Sequence, residues 1–154
     1  MKWNELHSDA CPVARGLSVI GDRWTMLVVR ECFLGIRRFD AMQSRLGITR
    51  HVLADRLRTL EADGVLRREA YQDRPVRYEY RLTDRGKALY PILVSLIDWA
   101  NAHVPLEGES AVTLLSRSTN QPIAPMLIDR NTGEDITTRT VRAVMNEPVP
   151  PQDG

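Results

Sequence analysis

The chain has 154 residues, 43% apolar and 27% charged, with a formal net charge of +1. This suits one domain with a real core plus an appendage. No apolar run approaches the roughly 18 residues of a membrane span and no secretory leader is visible, so the expectation is a soluble, cytoplasmic protein with no membrane partner.

Cys11-Pro12 opens a first helix that runs to about Ile20, since proline at the first helical position needs no donor. Gly21 interrupts it. "DRWTMLVVRECF" resumes with Trp24, Leu27, Val28 and Cys32 on one face, and Gly35 ends it. "IRRF" is short, extended and basic. Asp40 then caps a third helix, with Gln43 completing a capping-box pattern, and Gly47 stops it. The stretch "GITRHVLADRLRTLEADG" follows at once. Thr49 is its N-cap signal and Gly64 its C-cap signal, which predicts a helix over 50–63. Leu53, Leu57 and Leu60 form its inward stripe, and His51, Asp55, Arg58 and Ala62 lie opposite.

Val65–Tyr71 and Val76–Leu82 favour strand, joined by "QDRP", which is turn chemistry. Two helices across a tight glycine turn, then a hairpin, follow the order of a winged helix-turn-helix. Thr83 caps a last long helix whose broad apolar face comprises Leu89, Ile92, Leu93, Leu96, Ile97 and Ala100, with Pro91 predicted to kink it. That face is too wide for a monomer of this size to cover, so these six residues are candidates for a homodimer seam.

Six of the nine prolines lie at or beyond Pro105. The organisation read from this is a folded domain over 1–104, a small β-hairpin appendage over 105–146, and a disordered tail over 147–154. The clearest turn of the appendage is "NTGED", and Leu114, Ile123, Met126 and Ile128 are expected to pack it. The fold class is therefore α+β, mainly α. Charge is unevenly spread: residues 37–87 carry thirteen Arg or Lys against eight Asp or Glu, and residues 105–154 carry four against seven. A basic middle beside an acidic tail suits an anionic partner such as DNA.

Two cysteines make neither a disulfide framework nor a four-ligand zinc site, and the three histidines show no metal-ligand spacing. No phosphate loop or hydrolase nucleophile signature occurs. Neither enzyme activity nor a metal or other cofactor is expected.

The run from Cys11 to Ala100 closely resembles the HxlR family of bacterial transcription regulators, relatives of the MarR group. The resemblance rests on Cys11-Pro12, Gly21 through Trp24, "RRF" at 37–39, "VLADRLRTLEADG" and "YRLTDRG". It implies a dimeric, DNA-binding winged helix. Longer members carry a ribbon with a Cys-x-x-Cys-Gly turn after the last helix. Here Asp129 and Thr132 stand at the cysteine positions, and "SRSTNQ" lacks cysteine too, so the ribbon is read as zinc-free.

On this reading the second helix of the pair is a recognition helix in the major groove of double-stranded DNA, with Thr49, Arg50, His51 and Arg58 as contacts. Arg58 can reach guanine O6 and N7, whereas Arg50 suits phosphate. Arg74 and Arg77 at the hairpin tip are wing contacts, and Arg37 and Arg38 can touch the backbone. Asp55 either pairs with an arginine or accepts from cytosine. Cys11 sits at a helix start beside Arg15, where the dipole favours a thiolate. It is either an oxidant-sensing residue, as in redox-sensing members similar at that cysteine, or a small capping residue. A small-molecule effector is the other route of control. Together these features point to a homodimeric regulator, a repressor, on an inverted repeat. Its rival is a protein-interaction module that has kept the fold and lost DNA binding.

Overall fold

The computed structural model describes residues 3–108, 110–144 and 146. A short 3-10 turn at Trp3–Ser8 precedes α1 (Pro12–Ile20), α2 (Thr25–Phe33), α3 (Phe39–Leu46) and α4 (Arg50–Ala62). The hairpin β1 (Leu66–Asp73) and β2 (Val76–Leu82) follows, then α5 (Asp84–Lys87) and α6 (Tyr90–His103). The chain divides into two compact units, residues 1–97 and 98–154. The tail predicted over 147–154 lies outside the described residues. Among the described residues no helix is long and apolar enough to cross a membrane.

Helix ends in the first unit follow local chemistry. The Thr49 side chain accepts from the Val52 N–H and starts α4 where the sequence predicts. At the other end Gly64 adopts φ +69. This lets its N–H reach Glu61 O at 3.0 Å while Val65 N–H reaches Leu60 O at 2.9 Å, a Schellman closure. The third helix departs from expectation. Asp40 does not cap it: Arg38 is the last extended residue, at φ −95 and ψ 142, and makes no side-chain cap. Asp40 falls inside the first turn and is drawn instead to Arg50.

Val28, Val29 and Cys32 of α2, Met42 of α3, Leu53, Leu57 and Leu60 of α4, and Val65, Leu66 and Leu82 at the hairpin base make one core, with Ile48 from the turn. The inward leucine stripe of α4 is therefore as predicted. Helix α2 is sunk more deeply than one stripe requires: Thr25, Val29 and Glu31 are also buried, while Leu27 and Trp24 are only half-buried.

The hairpin pairs Leu66 with Leu82 through Asp73 with Val76, so β1 runs two residues into the predicted turn, and a bulge falls at Tyr71. The Thr83 Oγ1–H donates to Gly64 O at 2.5 Å, and the same oxygen accepts from Gly86 N–H at 3.1 Å, pinning the hairpin base to α5. A Cβ on Gly86 would meet Val65 O at 2.2 Å, so only glycine allows this approach.

The single long helix expected after Thr83 is two helices. Pro91 has no N–H to offer Lys87 O, so the chain turns at Ala88–Leu89 and restarts. Pro91 then occupies the first turn of α6, where no donor is needed, and does not kink its interior. The predicted broad face also splits. Leu93 is buried, with Leu89, Ile97 and Ala100 half-buried, whereas Ile92 and Leu96 remain 48% and 47% exposed.

Beyond α6 the described residues form no regular strand pair, only single bridges between Leu115 and Pro122 and between Ile128 and Asp135. Each closes a knuckle of the same design. Ser116 N–H donates to Gln121 O and Asn120 N–H to Ser116 O; Asp129 N–H donates to Glu134 O and Gly133 N–H to Asp129 O. Asn120 and Gly133 supply the left-handed residue at the same place in each. The predicted hairpin is thus two tight turns. The expected packing is not found either: Ile123, Met126 and Ile128 are exposed and Leu114 only half-buried, because a segment this short cannot wrap its own apolar side chains.

Candidate nucleic-acid interface

The tight turn at Gly47, in the left-handed region at φ +61, lets Ile48 sink into the core and sends α4 off at an angle to α3. The predicted contact residues of α4 then lie outward: Arg50, His51 and Arg58 are exposed. The Thr49 side chain is spent on its capping bond.

The arginines of this face are paired with acids. Arg50 Nη1 lies 3.0 Å from Asp40 Oδ1, with its guanidinium 4.8 Å from the Phe39 ring centre. Arg58 Nη1 lies 3.3 Å from Asp55 Oδ1. Arg56 Nη2 donates to the other oxygen of Asp55 at 2.8 Å, and Arg56 also reaches Asp22 at 3.5 Å. The hydrogen bond from Arg56, helped by the charges of Arg56 and Arg58, holds the Asp55 carboxyl below its ordinary value. Of the two roles predicted for Asp55, pairing with arginine is the one present here.

The hairpin carries the remaining basic groups. Arg74 sits in its turn and Arg77 near the tip of β2, both exposed, and no described residue bonds either side chain. Further down, Arg67 pairs with Glu69, and Arg81 with Glu69 and Glu79. Arg37 offers its carbonyl to Tyr80 N–H at 2.8 Å, docking the extended "IRRF" segment against β2. Arg38 lies over the Tyr71 ring at 4.2 Å. Arg38, Arg50 and Arg77, predicted from three separate segments, therefore line one cleft of about 480 Å³ between α3 and the hairpin. Sequence reasoning missed the aromatic side of this cleft, Phe39, Tyr71 and Tyr78. Arg38 precedes Phe39 and Arg77 precedes Tyr78, a pairing too common to single out, and Tyr71 has no arginine beside it in the chain.

It missed Glu31 as well. This carboxylate is fully buried and accepts from Arg30 at 2.7 Å and from Arg45 of α3. Burial would raise its pKa, but the hydrogen bonds from Arg45 and Arg30 outweigh it and hold the carboxyl below its ordinary value. The bridge fixes the angle between α2 and α3, and so the platform under α4. Burial, with the Glu31 charge behind it, pushes the neighbouring Cys32 thiol up to about 12, which leaves it protonated and inert.

Cys11 is exposed at the start of α1. Its N–H donates to Asp9 Oδ1 at 2.7 Å, and Arg15 Nη1 donates to the Asp9 and Ala10 carbonyls at 2.8 Å. Arg15 is thus committed to the backbone around Cys11. Among the described residues no group of three or more His, Cys, Asp or Glu is arranged to hold a metal.

Comparison with known proteins matches residues 19–107 to the HxlR-like helix-turn-helix family. The HTH-type transcriptional regulator Rv3095 of Mycobacterium tuberculosis is 39% identical over 84% of this chain and 82% of its own. The HTH-type regulator YvaP of Bacillus subtilis is 39% identical over 60% of this chain and 88% of its own. Among solved structures, the transcription-factor structure of PA1607 is 38% identical with a TM-score of 0.78, covering 91% of this chain and 99% of that one. The redox regulator HypR in its oxidized form is 34% identical with a TM-score of 0.57, covering 62% and 100%.

Proposed function

Because the chain belongs to the HxlR-like helix-turn-helix family and is a transcriptional regulator, we propose that it is a cytoplasmic repressor that binds an inverted-repeat operator as a homodimer. One observation carries this reading. The outward face of α4 and the hairpin tip both present arginines, on two elements that a protein-interaction module would have no reason to charge alike. Arg58 reads a base edge in the major groove after parting from Asp55. Arg74 and Arg77 meet phosphate or enter the minor groove, and Arg37 adds a backbone contact.

The dimer reading draws on exposed apolar side chains at helical spacing on the terminal helices. Val13 and Leu17 of α1 are 66% and 43% exposed, and Ile92 and Leu96 of α6 nearly half. Pairing these faces about a two-fold axis sets the recognition helices about 34 Å apart, one turn of DNA. Leu93 is already buried within its own chain, so Leu96→Asp is the informative change and should yield monomers by light scattering.

The deciding experiment is selection from random duplexes followed by binding across a salt series. An enriched palindrome, bound with a steep salt slope, supports the reading. Arg58→Ala should cost about 1–3 kcal/mol and relax one position of each half-site. A wild type with no duplex affinity would overturn it. Control by oxidant acts through Cys11, the exposed thiol, and not through buried Cys32. Peroxide should alter operator binding by wild type but not by Cys11→Ser, and identical responses leave Cys11 a helix-capping residue.

A further inference from the structure

The cleft between α3 and the hairpin holds three guanidinium groups and a single carboxylate, Asp40. Two of the three are fixed by aromatic faces, Arg38 over Tyr71 and Arg50 over Phe39. A guanidinium held over a ring gives up rotamer freedom beforehand and can still turn its N–H groups to a planar two-oxygen partner. Tyr71 is the bulge residue of β1, and a bulge re-aims the side chain it carries. The third group, Arg77, has no described partner.

We propose that this cleft seats one DNA backbone phosphate, and that Asp40 occupies Arg50 in the free protein as a stand-in for it. The proposal rests on the DNA-binding reading above. Asp40 and Arg50 are 85% and 71% exposed along their side chains, so their pair contributes little to folding. Its physical effect falls on binding. A phosphodiester entering the cleft takes the Arg50 N–H edge from the carboxylate. Asp40 turns to solvent, and parting it from Arg50 is the cost that each phosphate contact must meet. No bond is made or broken beyond this exchange of ion pairs. Asp40 therefore weakens binding to every duplex alike, whatever its sequence, and shortens the residence of the protein on DNA that is not its operator.

The test is titration of a mixed-sequence duplex across a salt series with wild type, Asp40→Asn, Arg38→Gln, Arg77→Gln, Arg50→Gln and the double variant Asp40→Asn with Arg50→Gln. Asp40→Asn should bind several-fold tighter than wild type with an unchanged melting temperature. The gain should vanish in the double variant, because it acts through Arg50. Arg38→Gln and Arg77→Gln should each lower the salt slope by about 1. If wild type binds duplex but Asp40→Asn does not tighten it, or tightens it equally without Arg50, the stand-in is overturned while the DNA reading survives. If Arg38→Gln and Arg77→Gln leave the slope unchanged, the phosphate seat is overturned. A wild type that binds no duplex overturns both.

Discussion

The two units of this chain are held by different means. In residues 1–97, side chains from three helices and the hairpin base converge on one core, in which Val28, Met42 and Leu53 are fully buried. In residues 98–154, no described residue is buried, and the knuckles are held by turn hydrogen bonds. Even their side chains serve the backbone: Asp129 Oδ1 accepts from Asn131 N–H at 2.9 Å and Thr132 Oγ1 from Glu134 N–H at 3.2 Å. Asp129 and Thr132 thus hold the second knuckle by bonding to its backbone. Tertiary burial makes the first unit cooperative, whereas the knuckles depend on local conformation.

The sharpest contrast should come from truncating the core. Leu57, 1% exposed, replaced by alanine should cost about 2–5 kcal/mol by chemical denaturation. A cost below 1 kcal/mol would mean that the core is looser than its burial implies.

The next effect belongs to Glu31. Glu31→Gln should cost about 1–3 kcal/mol at neutral pH, since hydrogen bonds to a charged group are lost. Its folded pKa lies below the roughly 4.3 of an unfolded glutamate. Its contribution is therefore full above that value and is lost as pH falls through the folded pKa. Wild type and variant should converge in stability in acid, and a gap that persists at low pH would assign the loss to packing instead.

Glycine offers a matched pair. Gly64 at φ +69 and Gly133 at φ +76 share one backbone conformation, so alanine strains either by about 1–2 kcal/mol. At Gly64 the strain loosens the α4 closure and should lower the global melting temperature. At Gly133 it should only speed amide exchange within the second knuckle.

The smallest effect is expected from Leu127→Ser, at a side chain 56% exposed: less than about 0.5 kcal/mol. A larger loss that depends on protein concentration would show that a second copy covers the apolar side chains of this unit.

Much of the fold was legible in the residues themselves, where local chemistry decides. Proline at the start of α1, the Thr49 cap, the glycine closure after Ala62 and the leucine period of α4 each act within a few residues, so α4 could be bounded and its outward arginines named from sequence. What escaped depends on groups far apart in the chain. Glu31 reads as a solvated residue until Arg45, fourteen positions later, is folded against it. Asp40 has the spacing of a cap, yet it faces Arg50 because the turn at Gly47 brings α4 back beside α3. Tyr71 looks like one more strand aromatic until the bulge aims it at Arg38. Pro91 predicts a kink inside one long helix, but the helix stops at Lys87 and the chain restarts as α6 with the proline in its first turn. Sequence by itself determined where the helices begin and what charge they carry, because caps and periodicity are short-ranged. Only the tertiary structure decided which charges meet, because an ion pair or a cleft is a property of distance in space.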